Sequence, residues 1–180
     1  MSSPATDDAV IRTRRLVLRR VRPEADFAGI HAVLSDAKAM TYWSTPPHDS
    51  EAQTRDWLAA MAETPAAEGD DFIIEFAGRA VGKAGFYRFP DIGYIIDPVL
   101  WGQGLVAEAL APIIARAFDR HGLARINADV DPRNQGSIRL LKKLGFAETH
   151  RALRTWLIAG EWCDSVYFAL ERQDWVARTA

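Results

Sequence analysis

The sequence predicts an α+β domain whose mixed, mostly antiparallel sheet has seven strands and about four flanking helices. Apolar runs joined by short turn signals, such as Ala77-Gly78-Arg79 and Ala159-Gly160, predict antiparallel hairpins. Between those hairpins a strand is followed by a helix and then by another strand, which is the order of a parallel β-α-β unit. The predicted order of elements is therefore βααβββαβαββ.

The individual elements follow from local patterns along the chain. Strands are predicted at residues 16–18, 72–76, 80–87, 92–96, 125–130, 153–158 and 162–170, and helices begin near residues 23, 50, 105 and 134. Pro23 favours the first turn of a helix, and Ser50 with Gln53 forms a capping box. Gly122 and Gly145 end the third and fourth helices, because glycine readily adopts the left-handed conformation of a helix cap.

Composition limits the class of protein. A chain of 180 residues with 48% hydrophobic residues predicts a single domain, placed at residues 13–180 behind a flexible N-terminal tail of residues 1–12. The net charge of −2 gives no electrostatic footprint for nucleic acid, and no apolar run is long enough to span a membrane. Cys163 is the single cysteine, which excludes an internal disulfide and fits a reducing, cytoplasmic location.

The most informative stretch runs from Asp91 to Glu108 and reads D-I-G-Y-I-I-D-P-V-L-W-G-Q-G-L-V-A-E. An apolar strand stops at Asp97, and a turn with two glycines leads into a helix. Backbone N–H groups at such a helix start are unpaired and lie at its positive end, so they favour phosphate. The glycines also match a dinucleotide-binding fingerprint, but Asp97 to Trp101 separate them from the strand, which argues against it. A third interpretation of these glycines is a tight turn that binds no ligand.

A second strand-to-helix turn, Asn134-Gln135-Gly136-Ser137, follows the next strand. Asn134 is a good N-cap for the helix after it, and Lys142 and Lys143 suit the negative C-terminal end of that helix. The carboxyl ends of neighbouring parallel strands share one edge of a sheet. Both turns are therefore expected to border the same crevice, where ligands commonly bind.

With these motifs the sequence resembles the GNAT superfamily of acyl-CoA-dependent N-acyltransferases, and within it the ribosomal-protein N-terminal acetyltransferase branch. The resemblance runs from about Thr13 to Trp175. Its most specific parts, in chain order, are T-R-R-L-V-L-R-R, I-G-Y-I-I-D-P-V-L-W-G-Q-G-L-V-A-E-A, N-Q-G-S-I-R-L-L-K-K-L-G-F and G-E-W-C-D-S-V-Y. The resemblance implies the GNAT fold, with a central β-α-β unit that binds acetyl-CoA.

The resemblance also implies a set of coenzyme-binding positions. Backbone N–H groups of the glycine turn would hold the pyrophosphate, at Gln103, Gly104, Leu105, Val106 and Ala107. Backbone groups of Ile95 and Ile96 would pair with the pantetheine arm, to which Asn134 would also bond. Lys143 or Arg139 would pair with a phosphate. Val106 departs from the family pattern, which has Gly or Ala there, because its branched side chain crowds the turn.

The implied reaction is direct attack of a neutral amine on the thioester, so Cys163 is not needed as a nucleophile. Ser137 would give a proton to the leaving thiolate. Asp91 would act as the base through water, although a purely structural aspartate in a hairpin turn is equally consistent. Acceptor contacts are expected from the loop of residues 40–49 and from the last hairpin, at Tyr42, Trp43, His48 and Trp156. No metal is expected.

These observations predict an acetyl-CoA-dependent N-acetyltransferase that acts on a primary amine of a protein N-terminus or of a small molecule. An α-amine with a pKa of about 7.8 is roughly one-seventh neutral at neutral pH, whereas a lysine amine is neutral in about one molecule in 2,500. A site whose catalytic base is weak is therefore expected to use an α-amine as the acceptor. Two other functions are consistent with the sequence: an acyl-CoA sensor without turnover and a nicotinamide-dependent oxidoreductase. The acceptor could also be an antibiotic, a polyamine or a free amino acid, and the protein could be a homodimer.

Overall fold

The computed structural model describes residues 9–179 and shows an eight-stranded mixed sheet with helices packed on both faces. The strands are β1 (Ile11–Arg12), β2 (Leu16–Arg19), β3 (Asp70–Phe76), β4 (Arg79–Arg88), β5 (Asp91–Ile96), β6 (Arg125–Val130), β7 (Ala147–Ile158) and β8 (Glu161–Glu171). Their order across the sheet is β1-β2-β3-β4-β5-β6-β8-β7. The helices are α1 (Pro23–Leu34), α2 (Glu51–Glu63), α3 (Leu105–Asp119), α4 (Gln135–Leu144) and α5 (Arg172–Thr179), and Pro98–Leu100 forms a 3-10 turn.

The predicted α+β class and the order of the central elements are confirmed, but the number of elements differs. Ile11 and Arg12 pair with Leu18 and Val17, so these two positions belong to the sheet rather than to the predicted tail. Residues 1–8 of that tail lie outside the described residues. A fifth helix follows β8, and β7 begins at Ala147 rather than at residue 153. These additions lie at the edges of the sheet, where short or irregular elements have weak sequence patterns.

Strands β5 and β6 run parallel and separate soon after they meet. Their single register pair joins Asp91 to Asn127, and the N–H of Asn127 donates to the carbonyl of Pro90 at 3.0 Å. Beyond this point β5 continues to Ile96 with no further partner in β6 among the described residues. The sheet is therefore split between β5 and β6 beyond this pair, and the split opens toward the two strand-to-helix turns.

Two apolar clusters fix the helices on the sheet. The larger one packs α3 and α4 on one face, with Ile113, Phe118 and Leu141 fully buried against the strands. The smaller one packs α1 and α2 on the other face, around Leu58 and Ile95. No helix in the described part of the chain is both long and apolar enough to cross a membrane.

Candidate active site

A cleft of about 740 Å³ occupies the split between β5 and β6. It collects most of the site residues that the sequence predicts. Those that line it are Tyr42, Trp43, Ile95, Ile96, Gly104, Leu105, Val106, Ala107, Asn134, Ser137 and Lys143. The predicted residues Asp91, Gln103, His48 and Trp156 do not line it. The two motifs thus form one site, as their positions after neighbouring parallel strands predict.

The glycine turn presents bare backbone to the cleft. Gly102 and Gly104 have φ values of 75° and 74°, a left-handed backbone conformation that residues other than glycine adopt only with strain. Gly104 is the N-cap of α3, and no side chain caps that helix start. The first N–H groups of α3, from Leu105 to Ala107, therefore lie at a positive helix end beside the cleft. Val106 packs its side chain partly on the core.

A clamp from the start of the chain holds this turn in place. Glu108, in the first turn of α3, accepts hydrogen bonds from the Thr13 hydroxyl at 2.6 Å and from the Arg15 N–H and Nε, both at 2.7 Å. Arg15 Nη1 also donates to the carbonyl of Gln103 at 3.0 Å. Burial alone would raise the pKa of Glu108, but these hydrogen bonds and the Arg15 charge lower it to about 2. The clamp explains why the T-R-R motif near residue 13 accompanies the glycine turn.

The split edge of β5 offers backbone groups to the cleft. The N–H of Asp97 donates to the carbonyl of Val81 in β4, and backbone groups along a strand alternate in direction. The groups of Ile95 therefore point toward β4, whereas those of Tyr94 and Ile96 point toward the split. The backbone groups of Ile95, predicted to pair with a ligand, are thus directed to β4, and those of Tyr94 and Ile96 are the ones that face the cleft. Trp101 Nε1 donates to the Ile96 carbonyl at 3.1 Å, which joins the glycine turn to this strand end.

Ser137 and Tyr94 form a hydrogen-bonded pair at the α4 side of the cleft. The two hydroxyl oxygens are 2.5 Å apart. Burial raises the pKa of Tyr94 to about 12, although its hydrogen bond with Ser137 acts in the other direction, so the phenol keeps its proton at neutral pH. Asn134 Oδ1 caps α4 by accepting from the Ser137 N–H at 3.1 Å. The NH₂ of this amide is the part of Asn134 that could donate to a ligand.

Charged side chains divide the cleft into two parts. The cations Lys38, Arg139 and Lys143 line it together with the glycine turn and α4. The carboxylates Asp129 and Asp131 line it at the end of β6. A phosphate-bearing ligand suits the first part and a cationic amine suits the second, by simple charge complementarity.

Arg133 joins the elements that surround the acidic part of the cleft. Its guanidinium contacts Asp131 at 2.7 Å and Glu161 in β8 at 2.8 Å, and it lies 5.8 Å from the centre of the Tyr42 ring. Burial would raise the pKa of Asp131, but the hydrogen bonds and charge of Arg133 lower it below its ordinary value. Arg133 therefore fixes the β6–α4 turn, the last hairpin and the loop after α1 relative to one another.

Three predicted site residues have other surroundings. Asp91 is an exposed residue at the start of β5, whereas the cleft opens toward the end of that strand, so the structure does not bring the predicted base to the cleft. His48 Nδ1 bonds to the buried Thr54 hydroxyl at 2.9 Å, and His31 bonds to the same hydroxyl at 2.7 Å. His48 thus ties the loop to α2. Gln103 Nε2 donates to the Val99 carbonyl at 3.3 Å, within its own turn.

Trp156 does not line the cleft, but it forms a hydrogen bond with Asp129, which does. It lies in β7 and its Nε1 donates to Asp129 Oδ2 at 2.9 Å. Sequence reasoning did not identify Asp129, Tyr94 or Glu108 as site residues. Tyr94 and Glu108 lie within the quoted glycine-turn motif, so that motif was a signal for both. No sequence motif pointed to Asp129 in this role, because its hydrogen-bond partner Trp156 is distant along the chain.

Comparison with known proteins identifies the family. A model of the acetyltransferase (GNAT) domain matches residues 15–147. An uncharacterized N-acetyltransferase of Bacillus licheniformis, p20, is 31% identical over 144 residues, which cover 74% of this chain and 80% of that protein. The chain therefore belongs to the GNAT acetyltransferase family, and it is an N-acetyltransferase. The resemblance predicted from the motifs is confirmed.

Some similar proteins have names that state an acceptor. Spermidine N(1)-acetyltransferase of Escherichia coli (strain K12) is 22% identical over 169 residues, or 88% of each chain. The ribosomal protein uS5-alanine N-acetyltransferase of the same strain is 38% identical over 84 residues, or 47% of this chain and 43% of that protein. The solved structure of a ribosomal L7/L12 alpha-N-protein acetyltransferase in complex with coenzyme A has a TM-score of 0.79 at 19% identity and covers 91% of this chain and 98% of its own.

Proposed function

We propose that the protein transfers the acetyl group of acetyl-CoA to a primary amine within the cleft between β5 and β6. The observation that carries this proposal is the split of the two strands beside an uncapped, glycine-formed helix start. A long ligand with a pyrophosphate and an extended amide-bearing arm matches both features. The N–H groups at residues 105–107 suit the pyrophosphate, and Arg139 and Lys143 suit a further phosphate.

The edge of β5 suits the pantetheine arm and the reacting carbonyl. Backbone groups of Tyr94 and Ile96 would pair with the arm as a neighbouring strand would, and the Asn134 NH₂ would donate to one of its amides. Bound acetyl-CoA supplies the thioester. An N–H of the split strand edge would stabilise the negative charge that develops on the thioester oxygen.

The Ser137–Tyr94 pair would supply the proton that the leaving group needs. The amine nitrogen forms a C–N bond with the acetyl carbon, the C–S bond breaks, and the amine releases one proton. Ser137 Oγ would protonate the sulfur and take the Tyr94 proton in the same step, and Tyr94 would regain a proton from solvent when the cleft opens on product release. One proton leaves the amine and one reaches the sulfur, so the overall reaction balances.

For the acceptor we propose the α-amine of a peptide N-terminus. A neutral α-amine is more abundant at neutral pH than a neutral lysine amine by a factor of several hundred, roughly 3.5 kcal/mol. A site without a strong base benefits most from that difference. The spermidine acetyltransferase matches a larger share of this chain than the uS5-alanine enzyme does, so a polyamine is the second candidate.

A thiol-release assay with acetyl-CoA tests this function. The acceptors are a peptide that begins with alanine, the same peptide with an acetylated N-terminus and one internal lysine, and spermidine. We expect release only with the free N-terminus. Release only with spermidine would change the acceptor to a polyamine. Binding of acetyl-CoA without release for any amine would identify a sensor and overturn the proposed activity.

A further inference from the structure

We propose, on the basis of the proposed function, that Asp129 binds the ammonium form of the acceptor and takes its proton, and that Trp156 positions this carboxylate. Asp129 is an exposed residue of β6 and lines the cleft. Ala128 and Val130 beside it are buried in the core under α3 and α4. Because side chains alternate along a strand, the carboxylate lies on the opposite face of the sheet, toward α1 and α2.

The second carboxylate that lines the cleft, Asp131, is already paired with an arginine. Both oxygens of Asp131 accept hydrogen bonds from Arg133, over four contacts between 2.7 and 3.2 Å. Asp129 makes one described hydrogen bond, from Trp156 to Oδ2. Its other oxygen is therefore available to a cation in the cleft, and Asp129 is the carboxylate that suits an ammonium group.

An irregularity in β7 brings Trp156 to this position. Ala152 pairs with Ser165 and Trp156 with Cys163, so β7 has two extra residues between these pairs. Arg154 takes the strained φ of 53° in this bulge, and its N–H donates to Asp164 Oδ1 at 2.9 Å. A bulge of this kind often redirects a side chain toward an active site. Here it allows an indole in the edge strand to reach across β8 to Asp129.

Asp129 and the Ser137–Tyr94 pair lie on opposite faces of the split sheet. The side chain of Tyr94 packs on the α3–α4 face, where Ser137 lies, and Asp129 points to the other face. An amine held by Asp129 would approach the thioester from one side while the sulfur takes its proton on the other. The bound ammonium would first give one proton to the Asp129 carboxylate, which passes it to solvent and leaves the neutral amine that attacks. The second proton, released as the C–N bond forms, would balance the proton that the sulfur takes.

The charged and titratable groups around Asp129 come from three elements. Asp131 and Arg133 follow it on the β6–α4 turn and pair with each other, and Arg133 also pairs with Glu161 of β8. Tyr167 is its cross-strand neighbour in β8, and His150 of β7 stacks on that ring at 4.3 Å. Asp129 is therefore the carboxylate in this group without an ionic partner among the described residues, which agrees with a role in binding a cation.

The test measures amine binding and turnover separately. The protein loaded with coenzyme A, which cannot transfer an acetyl group, is titrated calorimetrically with the alanine peptide and with spermidine. Acetyl-CoA turnover of both amines is then measured as a function of pH. The variants are Asp129→Asn, Asp129→Glu, Trp156→Phe and, as a matched control on exposed α2, Asp56→Asn.

We expect Asp129→Asn to weaken amine binding roughly tenfold or more, to raise the acceptor KM alike and to lower kcat, most strongly below the pKa of the amine, with the acetyl-CoA KM unchanged. Asp129→Glu should recover part of the loss. Trp156→Phe, which removes only the indole N–H, should raise the acceptor KM about threefold with little change in kcat. Asp56→Asn should match wild type.

Amine binding by Asp129→Asn equal to wild type would overturn the inference, as would a loss of acetyl-CoA binding of similar size. Amine binding that depends on Asp129 in a protein without thiol release would support the inference while contradicting the proposed transfer. Thiol release in wild type, with an acceptor KM and kcat that are unchanged in Asp129→Asn, would contradict the inference alone.

Discussion

The two sides of the cleft are built in different ways. On the side proposed to bind the coenzyme, one continuous stretch, residues 102–107, presents backbone groups, and the clamp of Thr13, Arg15 and Glu108 holds it. On the acceptor side, side chains from β6, β7, β8 and the loop after α1 meet through Arg133 and Trp156. We therefore expect coenzyme binding to depend on backbone conformation and acceptor binding to depend on side-chain identity.

The largest expected effect concerns the Ser137–Tyr94 pair, which lies between the two sides. Ser137→Ala should lower kcat about 100-fold, because a general acid contributes at least that factor. Tyr94→Phe should lower it about tenfold, and the double variant should be no slower than Ser137→Ala, since both residues serve one proton transfer. Stopped-flow measurement of thiol release checks this. Fully multiplicative losses would show that the two hydroxyls act independently.

The next effect separates backbone conformation from general stability. Gly104 and Gly78 have nearly equal φ values, 74° and 76°, and a Cβ at either would meet no close contact. Gly104→Ala and Gly78→Ala should therefore each destabilise the fold by about 1 kcal/mol. Only Gly104→Ala should weaken coenzyme A binding, by about tenfold.

Chemical denaturation and calorimetry on the two glycine variants provide the comparison. Gly78 lies in the β3–β4 hairpin, outside the cleft, so it controls for the strain alone. Equal coenzyme affinities in both variants would show that the conformation of the turn does not determine binding.

A smaller effect is expected for the clamp. Glu108→Gln should weaken coenzyme A binding about threefold, because it weakens the hydrogen bonds that hold the glycine turn but leaves the residues of the turn unaltered. The folded-state pKa of Glu108 is about 2, below its ordinary value of 4.5. Its ionised form thus stabilises the fold above pH 4.5, and this contribution disappears as the pH falls toward 2.

Urea denaturation of wild type and Glu108→Gln between pH 6 and about 3 measures that dependence. The difference in free energy of unfolding should be largest at pH 6 and shrink as the pH falls. A difference that stays constant across this range would mean that the Glu108 charge does not stabilise the folded state.

The smallest effect concerns the acceptor side. Asp164→Asn weakens the bond that holds the Arg154 bulge, and it should raise the acceptor KM about twofold while the acetyl-CoA KM stays constant. Glu148→Gln, which breaks an exposed pair with Arg151 in the same hairpin, is the control and should change neither value. A shift in acetyl-CoA KM with Asp164→Asn would contradict the separation of the two sides.

The same difference explains how much of the site could be predicted from the sequence. The positions of Gly104, Asn134 and Ser137 follow from local turn and capping patterns, so the sequence places them correctly at the cleft. The contact between Asp129 and Trp156 spans one intervening strand, β8, and depends on a bulge that leaves no pattern in the sequence. The family resemblance places the base at Asp91, but this side chain is exposed at the start of β5 and does not line the cleft.

The fold shows a parallel contrast. Hydrophobic periodicity and turn residues predict the central strands and four helices, because each buries a regular apolar stripe. Strand β1 has two residues, and the early part of β7 is mostly exposed, so neither carries a clear alternating pattern. Pairing with a neighbouring strand, which sequence periodicity does not report, produces both.

The most direct test of the separation between the two sides is a single kinetic comparison. Acetyl-CoA KM and acceptor KM are measured together for wild type, Gly104→Ala and Asp129→Asn. Gly104→Ala should raise only the acetyl-CoA KM, and Asp129→Asn should raise only the acceptor KM, each by about tenfold. If either variant raised both constants equally, the two sides would not bind their ligands separately and the account would be wrong.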